Sequence, residues 1–412
     1  DGLTDSDETN VWFTNPLDDD SDADLIKDGW EASNGFDPLS PDDAGTDPDG
    51  DGFTNKEEFF GNSDPNDPLS VPPLTPWYTY QGDIDHTGYV PAHLDVAVFT
   101  NLWTIQPGFG PEQYLEHVAA DIGEAWVSIY SAGYERHLIN IDAAAGDIIW
   151  QHDFGDVNSL APPALADGKV YVQTGGHEDA FTWSFDRETG APLTQESFLA
   201  QWPSFLPMAT YGGDVFGFAG YYGGISSFSG DSAWTNWWVR LQHYDMTTPV
   251  VDEDYVYIYG LEGLNVIDRH TGEILFAIKD EDAGQIYSPA RSAPLKTPDG
   301  HILVRQQYRL VLFDIETRSI LWQINDAQFS EQSAMANGRI YAVESGDVVT
   351  LDSGSGQELA RWTAPEPITQ RLIVSASHVL AASDGNTYAI NVATGAVEWA
   401  TPTGGATIKA TT

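Results

Sequence analysis

From residue 138 to the C-terminus, apolar and polar residues alternate in short runs, each pair of runs separated by a turn. The fullest copy is Thr387-Tyr-Ala-Ile-Asn-Val-Ala-Thr-Gly-Ala-Val-Glu-Trp399. Tyr388 and Ile390 alternate along one strand, Ala393-Thr394-Gly395 supplies a turn with a glycine able to take positive φ, and a second strand ends on a large aromatic residue. Clear copies run from Leu138 to Trp150, Leu264 to Phe276 and Leu310 to Trp322. Weaker ones run from Thr182 to Thr194, Ile225 to Trp238 and Val348 to Trp362. The residues ending the first strands, Asp142, Asp186, Ser229, Asp268, Asp314, Asp352 and Asn391, are spaced by 44, 43, 39, 46, 38 and 39. Between hairpins lie further strand-like runs such as Ala161 to Val172 and Thr248 to Ile258. A period of about forty residues holding four short strands predicts an all-β propeller of four-stranded blades.

Seven complete hairpins follow Trp103, which reads as the outer strand of one more blade. Its inner strands would come from the C-terminus, where Ala406 to Ala410 can make one strand. Eight blades with an incomplete closing blade is the favoured reading, and seven is the alternative.

The pattern fails before residue 77, where acids replace apolar residues. Residues 1–70 hold 21 Asp or Glu against Lys27 and Lys56, net −19. Their spacing is that of a coordination loop. Calcium takes six to eight oxygens, from loop positions 1, 3, 5, 7 through its backbone carbonyl, 9 often through water, and a bidentate Glu at 12, with Gly at 6. Asp47, Asp49, Asp51, Phe53, Asn55 and Glu58 fill those positions, with Gly52 at the sixth. Asp20, Asp22, Asp24, Ile26, Asp28 and Glu31 form a second set, in which Leu25 stands where Gly is expected and is predicted to strain or re-route the turn. Asp1, Leu3, Asp5 and Glu8 match the later positions of a third loop, so Asp1 reads as the middle of a motif. Asn15-Pro16, Asp37-Pro38 and Asp64-Pro65 follow each Glu as a recurring closure. No long helix precedes these loops, which argues against a sensor that swings open. Two or more calcium ions are expected. Residues 66–76 are proline-rich and read as an extended spacer.

The whole chain carries 17 basic and 63 acidic residues, net −46, which argues against nucleic acid or anionic lipid as partner. It has no cysteine, hence neither disulfides nor a thiol nucleophile. No apolar run is long enough to span a membrane.

The acidic segment resembles the bacterial thrombospondin type 3-like calcium repeats, which implies ions held along a loop-rich rod outside the cell. From Trp77, the opening Trp-Tyr-Thr-Tyr-Gln-Gly-Asp-Ile-Asp-His-Thr-Gly-Tyr-Val-Pro91 and hairpins such as Asn140 to Trp150 resemble the PQQ-like repeat propellers. That family includes quinoprotein dehydrogenases and the lipoprotein scaffold of outer-membrane barrel assembly. The resemblance speaks to fold more than to activity. The expected organisation is a calcium-binding segment over 1–65, a linker over 66–76 and a PQQ-like propeller over 77–412.

The repeats offer little catalytic chemistry. The family's quinone enzymes use a calcium-bound cofactor in the channel, a carboxylate base and commonly adjacent cysteines. With no cysteine and no motif that singles out a base, PQQ binding is not expected. The ten histidines are scattered without H-E-x-x-H, and His270 sits in a turn. There is no G-x-S-x-G either. Tyr211, Phe216, Phe218, Tyr221, Tyr222, Trp234, Trp237 and Trp238 cluster in one stretch as a stacking platform would, although packing between blades explains them more simply. Trp103, Trp150, Trp322 and Trp399 recur at one place in the repeat and are assigned to packing. The expected function is an exported or surface-attached calcium-binding protein whose propeller face binds a protein or polysaccharide without catalysis. A divergent quinoprotein-like oxidoreductase is the alternative.

Overall fold

The structure is a computed structural model. It describes the chain except residues 1–2, 18–19, 23, 25, 51–52, 62, 71–76, 93, 95, 97–102, 104–112, 122, 132–134, 144, 177–178, 199–206, 219–223, 242–246, 261–262, 283–292 and 403–412. Asp1, Leu25, Asp51, Tyr221, Tyr222 and the strand expected at 406–410 therefore lie outside the described residues, as do the side chains of Asp5 and Phe218. The chain divides into two compact units, residues 1–75 with 91–95 and 375–378, and the remainder.

The larger unit is a β-propeller. Its described residues form seven antiparallel sheets in chain order, which we number blades 1 to 7: residues 113–156, 159–197, 209–239, 250–279, 295–325, 329–362 and 373–402. The innermost strand of blade 7, Ile373–Ser375, pairs in addition with Tyr89–Val90. Inner strands are covered on both faces, as Ile302–Gln306 shows by being buried throughout, whereas outer strands such as Ser319–Asn325 alternate exposed and half-buried. That gradient follows from the packing: blades press their flat faces together, so only the perimeter meets water. Adjacent blades share apolar clusters, for example Leu303, Leu310 and Leu312 of blade 5 with Met335, Ile340 and Val349 of blade 6.

Every hairpin at the rim is built alike. The side chain of the marker residue caps the turn: Asp142 Oδ1 accepts from Ala145 N–H, Asp268 Oδ1 from Thr271 N–H and Asn391 Oδ1 from Thr394 N–H. Hydroxyl and backbone donors hold the carboxyls of Asp186, Asp268, Asp314 and Asp352 below the usual range. The fifth turn residue takes positive φ, at Gly146, Gly190, Ala233, Gly272, Arg318, Gly356 and Gly395. A bulge then precedes the residue four places on, as the pairing of Leu312 with Trp322 but Phe313 with Ile320 shows.

Residues 77–90 form a strap along the inner wall. Trp77 O accepts from Ala120 N–H of blade 1, Tyr78 O from Leu165 N–H of blade 2, Asp85 O from Lys296 N–H of blade 5, Thr87 O from Met335 N–H of blade 6 and Gly88 O from Val374 N–H of blade 7. Thr79 Oγ1 donates to Met208 O beside blade 3, and Ile84 packs against the cluster holding Val251 of blade 4. The strap thus visits the blades in ring order.

In the smaller unit, short helices Asp28–Asn34 and Asn55–Gly61 each begin at the ninth position of one predicted loop. Trp30 stacks on Phe36 at 5.8 Å between ring centres and meets the edge of Phe59 at 5.5 Å. With so few aliphatic residues available, this aromatic trio ties the two repeats together.

Candidate metal centre and propeller axis

The two loops place their acids in the same register. Glu31 and Glu58 fall in the first turns of their helices and are fully buried, as are Asp28 and Asn55 at the ninth positions. In the loop from Asp20 to Glu31, the N–H of Asp24 reaches Asp20 Oδ1 at 3.1 Å and Asp22 Oδ1 at 3.2 Å, and Ile26 N–H reaches Asp24 Oδ1 at 2.7 Å. These bonds wind the chain around a carboxylate-lined centre. Asp28 accepts from the N–H and hydroxyl of Ser21, at 2.8 and 2.7 Å. Its oxygens are thereby committed within the loop, as suits a position that meets an ion through water.

Asp20, Asp22 and Asp24 bring oxygens within 4.8 Å of one another, and so do Asp24, Glu31 and Asp43. Oxygens that share one calcium at 2.3–2.6 Å stand at most about 5 Å apart, so both groups are ion-sized. Asp22 Oδ2, Asp24 Oδ2, Asp43 Oδ1 and both oxygens of Glu31 are buried without a hydrogen-bond partner. Burial, followed by Asp24 among neighbouring charges, pushes Asp22 up to about 6. Burial, then Asp24 and Asp22, pushes Glu31 up to about 8. Asp24 is raised as well, foremost by burial. Several desolvated carboxylates facing one another without a cation is a costly arrangement, and a divalent ion is what such a donor set fits.

Asp43 is the residue that sequence spacing missed, since it lies outside both twelve-residue windows. Its signal was the closure: Asp37 N–H donates to Asp43 Oδ2, where the other two closures use a serine hydroxyl, Asn15 N–H to Ser21 and Asp64 N–H to Ser70. A carboxylate in place of a hydroxyl leaves its second oxygen to face Asp24 and Glu31. In the loop from Asp47 to Glu58, Gly50 N–H donates to Asp47 Oδ1, and Asn55 Nδ2 donates to Asp43 O and Thr46 Oγ1 while its buried Oδ1 has no partner. Phe53 is half-buried. At the N-terminus Glu8 is buried and its carbonyl accepts from Thr14 N–H, as Glu31 O does from Phe36 and Glu58 O from Ser63; Leu3 is half-buried.

Among the described residues, the strap brings buried side chains against the innermost strands of the propeller. Tyr80, Gln81 and His86 are buried, with Tyr80 Oη within 3.3 Å of Gln332 Oε1 in blade 6 and Gln81 Nε2 within 3.2 Å of Leu372 O before blade 7. His86 Nδ1 lies 2.8 Å from Pro294 O, and burial lowers its affinity for a proton to about 4. The Arg371 guanidinium lies over the Tyr80 ring. Tyr80 and Gln81 thus reach across the ring, whereas His86 bonds beside blade 5, which its neighbour Asp85 also meets. Of the aromatic stretch, Phe216 is buried, Trp237 packs against the next blade, and Trp234 and Trp238 are 68% and 40% exposed.

The chain belongs to the family described as "Outer membrane protein assembly factor BamB", whose PQQ-type repeats it matches over residues 103–203 and 220–411. Residues 47–68 match the bacterial TSP3 repeat. No curated protein matches the sequence. Among solved structures, BamB from Moraxella catarrhalis superimposes with a TM-score of 0.56 at 15% identity, covering 71% of this chain and 90% of that one. A europium-containing methanol dehydrogenase superimposes at 0.63 with 12% identity, covering 80% and 85%, and the computationally designed Ika8 protein at 0.56 with 16%, covering 71% and 88%. At these identities the likeness is one of fold.

Proposed function

We propose that this is an exported calcium-binding protein whose propeller is a non-catalytic scaffold for a protein or polysaccharide partner. The observation that carries the calcium reading is the buried, partnerless oxygens shared by Asp22, Asp24, Glu31 and Asp43. Calcium would be held by residues of 1–65, with 66–76 as spacer and 77–412 as propeller. The binding reading of the propeller rests on its family and on the axis. A quinone needs room there and, commonly, a cysteine pair; this axis is lined by Tyr80, Gln81 and His86, and the chain has no cysteine. These residues do not fit the cofactor. We propose eight blades, because Trp103 packs on blade 1 as outer-strand tryptophans of other blades pack on theirs.

Calcium should order the acidic segment and leave the repeats nearly untouched, since an ion bound only by the ordered form stabilises that form. Limited proteolysis should cut between residues 1 and 76 only in chelator. Cleavage there regardless of calcium, or loss of the propeller in chelator, refutes the assignment. Addition of PQQ and calcium followed by a dye-linked alcohol oxidation assay tests the axis: turnover that survives purification would refute the scaffold reading.

A further inference from the structure

Four indole rings sit in identical seats between blades. Trp103, Trp150, Trp237 and Trp322 each donate Nε1–H to a carbonyl in the next blade's hairpin, of Ala143, Arg187, Arg269 and Ser353, at 2.8–2.9 Å. Each ring also lies flat on the hairpin's glycine: a Cβ added at Gly146, Gly190, Gly272 or Gly356 would meet that ring at 2.5–2.8 Å. At the blade 4–5 junction both partners change, and Arg318 stacks its guanidinium 4.1 Å from the ring centre of Phe276. At the blade 2–3 junction Thr194 replaces the ring and Ala233 the glycine, and Ala233 is covered, 4% exposed.

Among the described residues, the junction of blades 6 and 7 keeps the seat without an occupant. The seat-filling residue pairs with the middle of the third strand: Trp150 with Asn140, Trp322 with Leu312, and here Ala360 with Thr350. Trp362 lies two residues farther, opposite Val348, and turns to Tyr388 at 5.1 Å. Gly395 has the glycine conformation of the filled seats, φ +67°, yet nothing lies within 4 Å of where its Cβ would be. A cavity of about 390 Å³ opens there, lined by Ala360, Trp362, Val392 and Gly395 among others. Val392 is the counterpart of Ala143, Arg187, Arg269 and Ser353, so its carbonyl stands where those acceptors stand.

We propose that this cavity is a binding site for a tryptophan side chain presented by a partner polypeptide. The chemistry is already on the molecule four times: a planar apolar floor without Cβ and a carbonyl for the indole N–H, reached from the perimeter past an exposed outer strand, Glu358–Trp362. The rim selects the flanks of that tryptophan. Arg339 and Arg361 line the cavity, and Glu344, Asp347 and Glu358 surround Arg361, so acids outnumber bases around the mouth on a chain of net charge −46, and lysine or arginine beside the tryptophan complements them. The site extends the scaffold reading to the perimeter; loss of this site would leave partner binding at the propeller face intact.

The test uses the full chain with calcium and two fluorine-labelled probes observed by ¹⁹F NMR, 5-fluorotryptophan in a Lys-Trp-Lys peptide and in a Glu-Trp-Glu peptide. Ala360→Trp should fill the seat from within, raise the melting temperature and weaken Lys-Trp-Lys binding at least tenfold. Gly395→Val should block the site, and Ala360→Trp guards against its failing to fold. Glu-Trp-Glu should bind at least fivefold more weakly than Lys-Trp-Lys. The proposal is overturned if Lys-Trp-Lys does not bind, or if it binds Ala360→Trp as well as the parent chain. Self-association that disappears in both Ala360→Trp and Trp234→Ala would also overturn it, by assigning the seat to a second copy. Unaltered capture of a face-binding partner by Ala360→Trp separates this result from the broader scaffold reading.

Discussion

Gly190 and Gly395 occupy equivalent hairpin positions at φ +68° and +67°, which makes them a matched pair for alanine substitution. Either alanine must hold a left-handed conformation, at a cost of about 1–2 kcal/mol, and either stiffens the unfolded chain equally. They differ in what the new methyl meets. At Gly190 it would lie 2.5 Å from Trp150 Cδ2, whereas at Gly395 nothing lies within 4 Å. Displacing a packed ring adds about 1–3 kcal/mol, and losing the indole hydrogen bond to Arg187 O about 1 kcal/mol more. Gly395→Ala should therefore cost about 1–2 kcal/mol and Gly190→Ala about 3–6 kcal/mol. With an unfolding entropy of roughly 2.1 cal/mol/K per residue over residues 77–412, the corresponding drops in melting temperature are about 2 °C and about 6 °C. Scanning calorimetry with calcium present resolves that difference. A Trp150→Ala background should bring the cost of Gly190→Ala down to that of Gly395→Ala, because the clash is then gone. Equal costs in the parent chain would refute the idea that the indole selects the glycine.

Asp43→Asn should weaken calcium binding by the segment 1–65 at least as much as Asp28→Asn, measured by calorimetric titration; indifference to Asp43 would remove it from the cage. The raised Glu31 gives a pH prediction: without calcium the folded form keeps a proton that the unfolded form has released, so the acidic segment loses stability as pH rises from about 4.5 to about 8. Calcium must displace that proton, so binding should tighten from pH 6 to pH 8 with measurable proton release, and pH-independent affinity would contradict the coupling. Tyr80→Phe, which removes the hydroxyl facing Gln332, should lower propeller stability by about 1–2 kcal/mol in urea titrations, and no change would argue that the axis is wet. Deleting residues 403–412 should lower the melting temperature of the propeller if an eighth blade closes through them.

The rim was legible because its chemistry is local. Asp142, Asp268 and Asn391 cap their own turns within three residues, so a one-dimensional reading finds them and their period. The weaker copies misled by one or two residues at their ends: Trp237, not Trp238, fills a seat, and Ala360, not Trp362, stands at the sixth. Counting eight residues from the markers Ser229 and Asp352 would have found both. Arg318 and Ala233 were invisible as turn residues, since only the fold forces them left-handed. In the acidic segment the twelve-residue windows captured ligands along one loop. Asp43 belongs to another loop, and local spacing carries no record of that approach. The opening from Trp77 to Pro91 announced a family but not its task, because its partners are spread over blades far apart in the sequence.

That opening has a consequence for the order in which the molecule can be made. The strap is synthesised before any blade, yet its partners lie far downstream: Thr79 and Met208 are separated by 129 residues, His86 and Pro294 by 208, Tyr80 and Gln332 by 252, Gln81 and Leu372 by 291. Blades are local structures that can form one by one as they leave the ribosome. The strap cannot be satisfied until the last of them exists. Such long-range closure is slow, and until it happens Trp77, Tyr80 and the inner strands they cover remain open to solvent and to other chains. An emerging chain of this kind is most exposed to aggregation just before the strap closes, and a holding chaperone would act best by occupying the strap itself.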